Sequence, residues 1–446
     1  MNLSKAEILK AVEDSYNPKV KVAITDIDGV LRGKYIHKDK FNSAVEGGFG
    51  FCNVIFGWDI NDLAYEGVDF TGWHTGYPDA NAALDLTTYR KVPWDNDVAF
   101  FLGDFNLDIC PRSLLRKINA ESEKMGLHAS FGQEFEWFNF KVNTEELHAN
   151  GFREPPHLTP GMFGYSLLRM SKNKAFFNDI YDLLNKFRVP IEGLHTETGP
   201  GVMEAALQYG DILESADRAV LFKSAVKEIG HTHGIMPTFM AKISDKLPGC
   251  SGHLHQSLWE GSKNIFFDEK KDNKMSSLME SYLAGILHCM PHILPLYAPT
   301  INSYKRLVEG AWAPTTVTWG IDNRTTSVRV LPLSSKSTRI ELRVVGSDAN
   351  PYLAHAASLA SGLYGIRHKL KLTAHRTEGN GYNDIRNGVL PQNLWNATQE
   401  MKKSEVAIEL LGENFVKHYC SSREWEWQQC QKAVTDWEYK RYFEIV

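Results

Sequence analysis

Three short stretches of the chain place charged or metal-binding residues at every second position inside apolar surroundings. They are Gln133-Glu134-Phe135-Glu136-Trp137, His253-Leu254-His255 and Arg339-Ile340-Glu341-Leu342-Arg343. Successive side chains of a strand point to opposite faces, so each stretch sends acids, imidazoles or guanidiniums one way and Phe, Trp, Ile or Leu the other. A strand that merely faces water usually alternates with Lys, Thr and Ser. Strands that alternate Glu, His and Arg with strong β-formers point instead to one polar cavity that takes hard metals and anions.

The remaining sequence says what carries these strands. Its 446 residues are enough for a large core and two domains. Residues 1–16 read as a helix. A β-rich run from Lys19 to Ile24 meets a turn at Asp28-Gly29 and resumes at Val30, which predicts a hairpin. Up to Leu107 the chain is rich in Gly, Asp, aromatics and short apolar runs, so residues 1–107 read as a small, mostly β domain. Pro111-Arg112-Ser113 opens a helix running to Met125, and residues 108–446 alternate strand-like motifs with helices near 175–187, 215–230 and 276–291. That is an α+β pattern rather than regular βαβ. A formal charge of −5 gives no basic footprint for nucleic acid. No run of about 18 apolar residues suits a membrane span, and the first residues lack the apolar core of a signal peptide. The cysteines are scattered without CxxC spacing, as expected of reduced thiols in a cytoplasmic protein.

One motif competes for attention. Asp26-Ile27-Asp28-Gly29 resembles the nucleophile loop of haloacid-dehalogenase-type phosphatases, and Gly103-Asp104-Phe105-Asn106-Leu107-Asp108 resembles their acidic metal motif. The segment between them lacks the alternating helices and strands of a doubly wound domain. A phosphatase would also leave the charged strands beyond residue 130 unexplained. A hairpin turn is the favoured reading of Asp26.

The acids suggest metals. Glu134 and Glu136 share a strand face, and Glu197 and Glu204 flank a Gly199-Pro200-Gly201 turn that folds the chain back and brings them to one site. Carboxylates joined by an imidazole suit Mg²⁺ or Mn²⁺. Arg306, Arg324, Arg329, Arg339 and Arg343 lie in β-rich sequence, where burial is costly unless anions meet them. Divalent metals with several planar Arg forks describe a phosphoryl-transfer site. No GxxxxGK[ST] sequence is present, which excludes a P-loop.

Taken in order, the motifs resemble those of the glutamine synthetase superfamily, class I type, over nearly the whole chain. They are Asp26-Ile27-Asp28-Gly29 with Arg32-Gly33-Lys34, Gly132 to Trp137, Thr196-Glu197 with Gly201 to Glu204, Ser251 to Ser257, Asn302 to Leu307, Asn323-Arg324 with Arg329, Arg339 to Arg343, and Asn350 to Ala354. The resemblance implies an N-terminal β-grasp domain and a C-terminal catalytic domain whose antiparallel sheet forms an active-site funnel flanked by helices. It implies that Glu136, Glu197 and Glu204 hold a metal nearer glutamate, and that Glu134, His253 and Glu341 hold a metal bridging ATP phosphates. Arg306, Arg343, His253 and the Gly249 backbone match groups that bind L-glutamate. Arg324, Arg329 and Arg339, with Glu309, match the catalytic set. Glu192, Tyr209, His255, Ser257 and Lys336, with Arg329 and Arg339, match ATP contacts. The implied reaction has two steps: the glutamate γ-carboxylate attacks the ATP γ-phosphate, and an amine then displaces phosphate from γ-glutamyl phosphate. The implied assembly is a homo-oligomer, a dodecamer of two hexameric rings with active sites between subunits.

The sequence departs from ammonium-using members at the acceptor end. Where they carry an Asp in an N-terminal segment and a Glu in a flap, this chain has Cys52 and Trp312, with Asp59 or Asp62 able to compensate for the first. Ammonium desolvated there without a counter-charge is unfavourable. Cys52, Trp312 and Tyr165 are therefore expected to line the pocket of an amine with an apolar body. Trp312-Ala313-Pro314 and the segment from Trp319 to Arg324 also resemble the γ-glutamylamide synthetase branch, whose acceptors include polyamines, ethanolamine, alkylamines and anilines. The expectation is an alkyl- or arylamine, isopropylamine-like or aniline-like. The alternatives are glutamate–ammonia ligase, γ-glutamylpolyamine synthetase and a non-catalytic, lengsin-like ring protein. Tyr382 lies near a tyrosine modified in some bacterial members, but its surroundings differ and no regulatory role is assigned to it.

Overall fold

In the computed structural model, which describes residues 3–446, the predicted hairpin is present. Strands β1 (Lys19–Thr25) and β2 (Leu31–His37) pair antiparallel from Thr25↔Leu31 to Lys19↔His37. Asp26 builds the turn between them. Its Oδ1 accepts from the Asp28 and Val30 amides at 3.1 and 2.8 Å, and its Oδ2 accepts from Arg32 Nε at 2.9 Å. Gly29 has φ +82°, and a Cβ there would come within 2.9 Å of Asn350 Cα, so both conformation and space demand glycine. Asp26 is thus a buried turn-former. Asp104, the other half of the phosphatase motif, is engaged elsewhere, by Arg112 and Arg116 at 2.7 Å each. The two acids have separate structural duties, which removes the phosphatase alternative.

Strands β3 (Phe49–Cys52), β4 (Asp79–Val92) and β5 (Val98–Asp104) complete a five-stranded sheet in the order β2-β1-β5-β4-β3, with β1 parallel to β5. Its apolar face packs on the helix Lys38–Gly47, where Phe41 stacks on Phe101 at 4.9 Å. This is the small β-grasp unit. The opening helix is shorter than the 1–16 expected: it spans Lys5–Glu13, because a reciprocal Ser4–Glu7 capping box sets its start. Met1 and Asn2 lie outside the described residues.

The helix Pro111–Lys124 leads into a ten-stranded sheet. Its strands are β6 (His128–Phe140), β7 (Ile191–Thr196), β8 (Val202–Leu207), β9 (Gly210–Asp211), β10 (Met236–Thr238), β11 (Leu254–Glu260), β12 (Lys263–Asn264), β13 (Trp319–Ile321), β14 (Val328–Leu331) and β15 (Arg339–Leu342). The main path runs β13-β14-β15-β11-β6-β8-β7, antiparallel except where β13 meets β14. The expected helices appear as Lys174–Lys186, Ile212–Thr232 and Ser277–Ile293.

Strand β6 separates the core from the polar face. Phe131, Phe135 and Trp137 are fully buried, and Phe135 stacks on Phe222 at 5.6 Å while Trp137 stacks on Phe239 at 5.9 Å. Each such ring contributes on the order of 1.5–3 kcal/mol by leaving water. The interleaved Ser130, Gly132, Glu134 and Glu136 are thereby forced onto the opposite face. A one-residue slip would bury two carboxylates and expose the rings, so the register is fixed. Among the described residues no helix is long and apolar enough to cross a membrane.

Candidate active site

Cross-strand register brings the acids together. Glu136 on β6 sits directly opposite Glu204 on β8, and Glu204 in turn opposes His195 on β7. Like charges directly opposite destabilise a sheet. The Gly199-Pro200-Gly201 turn returns Glu197 to the same place, so that oxygens of Glu136, Glu197 and Glu204 all lie within 4.8 Å of one another. Burial, with the neighbouring carboxylates Glu136, Glu134, Glu197 and Glu341, pushes the Glu204 pKa up to about 9. A divalent cation is what such a cluster fits, and the oxygen-rich donor set with nearby imidazoles matches Mg²⁺ or Mn²⁺.

A second group is balanced differently. Oxygens of Glu134 and Glu341 and a nitrogen of His255 also lie within 4.8 Å of one another. His255 Nε2 is 3.1 Å from Glu134, and His253 Nδ1 is 3.7 Å from Glu134 and 3.5 Å from Glu341. The sequence reading put His253 with these acids and His255 with ATP. The geometry places both imidazoles there and draws His255 into the tighter trio. His253 has its Nε2 buried without a partner, and burial together with Arg343 lowers its pKa, so it is held neutral as a ligand must be. Burial opposes ionisation of Glu134, but His255 and His253 hold it well below the ordinary carboxylate range. Glu341, only 1% exposed, is clamped by Arg329 at 2.7 Å and by Arg343.

Beside this group opens a cavity of about 320 Å³ lined by Glu134, Glu192, Tyr209, His255, Ser257, Lys336 and Arg339. Every residue expected to contact ATP except Arg329 lines it. Arg329 instead bridges Glu341 and Asp322. Arg339 reaches His255 Nδ1 through Nε at 3.2 Å. Ser130, Gly132, Trp259, Ser337 and Thr338 also line the cavity, although the sequence does not mark them as ATP contacts. The signal was present: Ser130 and Gly132 continue the even-numbered face of β6 toward its start.

Arg306 is 2% exposed and fastened by carbonyls and a hydroxyl: Nη1 donates to Val344 O at 3.0 Å, and Nη2 to Arg343 O at 3.0 Å and Ser251 Oγ at 3.1 Å. A Cβ on Gly249 would come within 2.7 Å of Arg306 Cγ, so only glycine lets that backbone lie against the arginine. Tyr165, at φ +52° and 71% exposed, stacks on His195 at 4.4 Å. His195, unforeseen in the sequence, lies 3.8 Å from Glu204.

The flap residues stand apart. Trp312 is 63% exposed at φ +58°, and Arg324 and Glu309 are exposed, Glu309 with no ion pair among the described residues. Cys52 lies on β3 in the other sheet, where its Sγ is 3.3 Å from Tyr77 O. Asp59 and Asp62 both have partners within the chain. Asp59 accepts from the Asn61 and Leu63 amides and from Trp425 Nε1, and Asp62 pairs with Arg32 at 2.8 Å.

Comparison with known proteins agrees with this geometry. The glutamine synthetase catalytic-domain family matches residues 108–442. A type-1 glutamine synthetase 2 of Dictyostelium discoideum is 50% identical over 450 residues, 98% of this chain and 86% of that protein. A glutamate–isopropylamine ligase of a Pseudomonas species is 34% identical over 456 residues, 99% of each. A solved GmaS/ADP complex superposes with a TM-score of 0.85 at 25% identity, covering both chains completely.

Proposed function

The chain belongs to the glutamine synthetase family of ATP-dependent ligases, and we propose that it joins the γ-carboxylate of L-glutamate to an alkyl- or arylamine. The observation that carries the acceptor reading is Trp312: a large apolar side chain, 63% exposed on the flap, at the position where ammonium-using members carry an acid. The resemblance to a glutamate–isopropylamine ligase over the full chain supports it. The 50% identity with a glutamine synthetase favours ammonium as the second reading.

Glu192, Tyr209, Ser257 and Lys336 hold the nucleotide in the cavity beside β6. Glu136, Glu197 and Glu204 would hold one divalent ion, and Glu134, Glu341 and the two histidines a second. Bound there, the ions neutralise triphosphate charge and draw electrons from the γ-phosphorus. Arg306 and Arg343, fixed by carbonyls, orient glutamate so that its γ-carboxylate attacks the γ-phosphate. Arg324, Arg329 and Arg339 stabilise charge as it moves to the departing ADP. The acceptor amine then displaces phosphate from γ-glutamyl phosphate. Trp312, Tyr165 and Cys52 exclude water and receive its apolar body; an arylamine binds as the free base without a dedicated acid–base pair, whereas an alkylamine gives up its proton to solvent before it enters. Cys52 sits on the edge strand β3, and Trp73 nearby is 86% exposed. Both support a ring in which the N-terminal sheet of one copy, residues 1–107, meets the catalytic face of the next, residues 108–446.

The test is a panel of ammonium, isopropylamine, aniline and polyamines assayed for glutamate- and ATP-dependent phosphate release. A higher kcat/KM with an alkyl- or arylamine supports the proposal. The best kcat/KM with ammonium establishes the second reading, and nucleotide binding without turnover on any amine would make the chain a silent ring protein.

A further inference from the structure

We propose that Tyr382 touches the amino-acid substrate, its hydroxyl donating a hydrogen bond to the carboxylate that Arg343 and Arg306 hold. This rests on the glutamate reading above.

Tyr382 lies in the short turn Gly381–Asn383, and that turn is fastened to the loop bearing Arg324. The Gly381 amide donates to Thr325 Oγ1 at 2.8 Å, Thr316 Oγ1 donates to Gly381 O at 2.9 Å, and Asn323 Nδ2 donates to Gly379 O at 2.8 Å. A Cβ on Gly381 would meet Thr325 O at 2.6 Å, so the two segments touch backbone to backbone. Arg343 is tied to the same loop: its Nε donates to Arg324 O at 3.1 Å and its amide donates to Ser327 O at 2.9 Å. Tyr382 and Arg343 therefore share one rigid support.

The Tyr382 Oη is buried and has no hydrogen-bond partner among the described residues. Burial raises its pKa and keeps its proton in place, against the Arg343 guanidinium, the Trp312 backbone and the Arg306 guanidinium, which pull it down. Guanidiniums and backbone N–H groups are donors only. A buried, protonated phenol whose charged neighbours are cations lacks an acceptor for its hydrogen. What completes it is an anionic acceptor, and a carboxylate drawn in by two guanidiniums supplies one. The hydroxyl also lies beside the flap backbone at Trp312, so filling this position couples the occupied carboxylate site to the segment assigned to the acceptor.

The test is Tyr382→Phe in the full-length, metal-loaded protein, which deletes the hydroxyl and keeps the ring. The expected KM for L-glutamate is about tenfold higher, ~1.4 kcal/mol, with the KM for ATP within about twofold of wild type. The ligand-free variant should melt at the wild-type temperature or above, because it loses an unpaired buried hydroxyl. L-Glutamate should raise its Tm less than it raises that of wild type. An unchanged KM for glutamate, or a ligand-free variant that melts lower, overturns the assignment. Wild type lacking glutamate-dependent turnover would overturn the ligase reading and this assignment together, whereas wild-type turnover with an unaffected variant overturns the assignment alone.

Discussion

The crowding of Glu136, Glu197 and Glu204 makes a quantitative demand on the metal-free protein. Glu204 is only 17% exposed and directly opposes Glu136. Burial and its carboxylate neighbours move its pKa from 4.5 to about 9. The folded state thus keeps this proton between those values while the unfolded chain has lost it. With more protons bound in the folded state, stability falls as pH rises, by about 1.4 kcal/mol per pH unit. From pH 5.5 to 8.5 that amounts to about 4 kcal/mol from this residue.

Glu204→Gln isolates the effect, since the amide keeps the shape and cannot titrate. Urea unfolding of chelator-treated protein at several pH values should show the wild type losing stability relative to the variant as pH rises. Saturating Mn²⁺ should remove the trend in wild type, because binding replaces the proton and stabilises by mass action. It should do so much less in the variant, which lacks one ligand oxygen. If wild type and Glu204→Gln show the same pH slope without metal, the carboxylates are not electrostatically crowded and the reasoning fails.

Three further outcomes follow from packing. Arg112, 2% exposed, donates to Asp217, Asp104 and Asp85 at 2.7–2.9 Å. Arg112→Met should cost about 3–5 kcal/mol at neutral pH by leaving the buried Asp217 carboxylate without a counter-charge, since Arg116 still reaches Asp85 and Asp104; the cost reads as a lower urea midpoint. Gly362→Ala would place a Cβ 1.9 Å from the Tyr282 ring between the helices Pro351–Arg367 and Ser277–Ile293. It should cost about 3 kcal/mol or more, visible as a lowered Tm. Gly132→Val would set a branched side chain where a Cβ already lies 3.2 Å from Tyr209 Cβ. The KM for ATP should rise about tenfold with the KM for glutamate little changed, measured by phosphate release.

Much of the clustering behind the proposed metal and nucleotide site is legible in the sequence because strand alternation is a local rule. Once Phe135 and Trp137 are assigned inward, Glu134 and Glu136 have no other direction to point. The same rule placed Glu341 and His255, and it reaches His253, which precedes β11, because the Glu134 amide donates to its carbonyl at 2.9 Å and extends the ladder. The rule does not supply strand order. That β11 lies between β15 and β6 depends on pairings far apart in the chain, Leu254 with Leu342 on one side and with Gln133 on the other. Side-chain reach was likewise hidden: alternation puts both histidines on one face without saying that His255 would approach Glu134 more closely than His253 does.

The acceptor end escapes the rule altogether. Trp312 sits on the flap at φ +58° and Tyr165 on a loop at φ +52°, conformations no periodic pattern encodes. Cys52 belongs to a strand of the other sheet, whose register constrains it relative to β4 rather than to the catalytic groups. The residues assigned to phosphate and metal are pinned by cross-strand partners, so altering one disturbs a whole row: Arg329, Glu341 and His255 oppose one another in sequence across three strands. Trp312 and Tyr165 carry no such obligation, and the side chain at either position can change without moving the ladder. A scaffold divided in this way keeps its phosphoryl chemistry while the amine it accepts is free to differ. A carboxylate at position 312 should therefore alter acceptor preference, read in the same amine panel, while leaving the KM for ATP within about twofold.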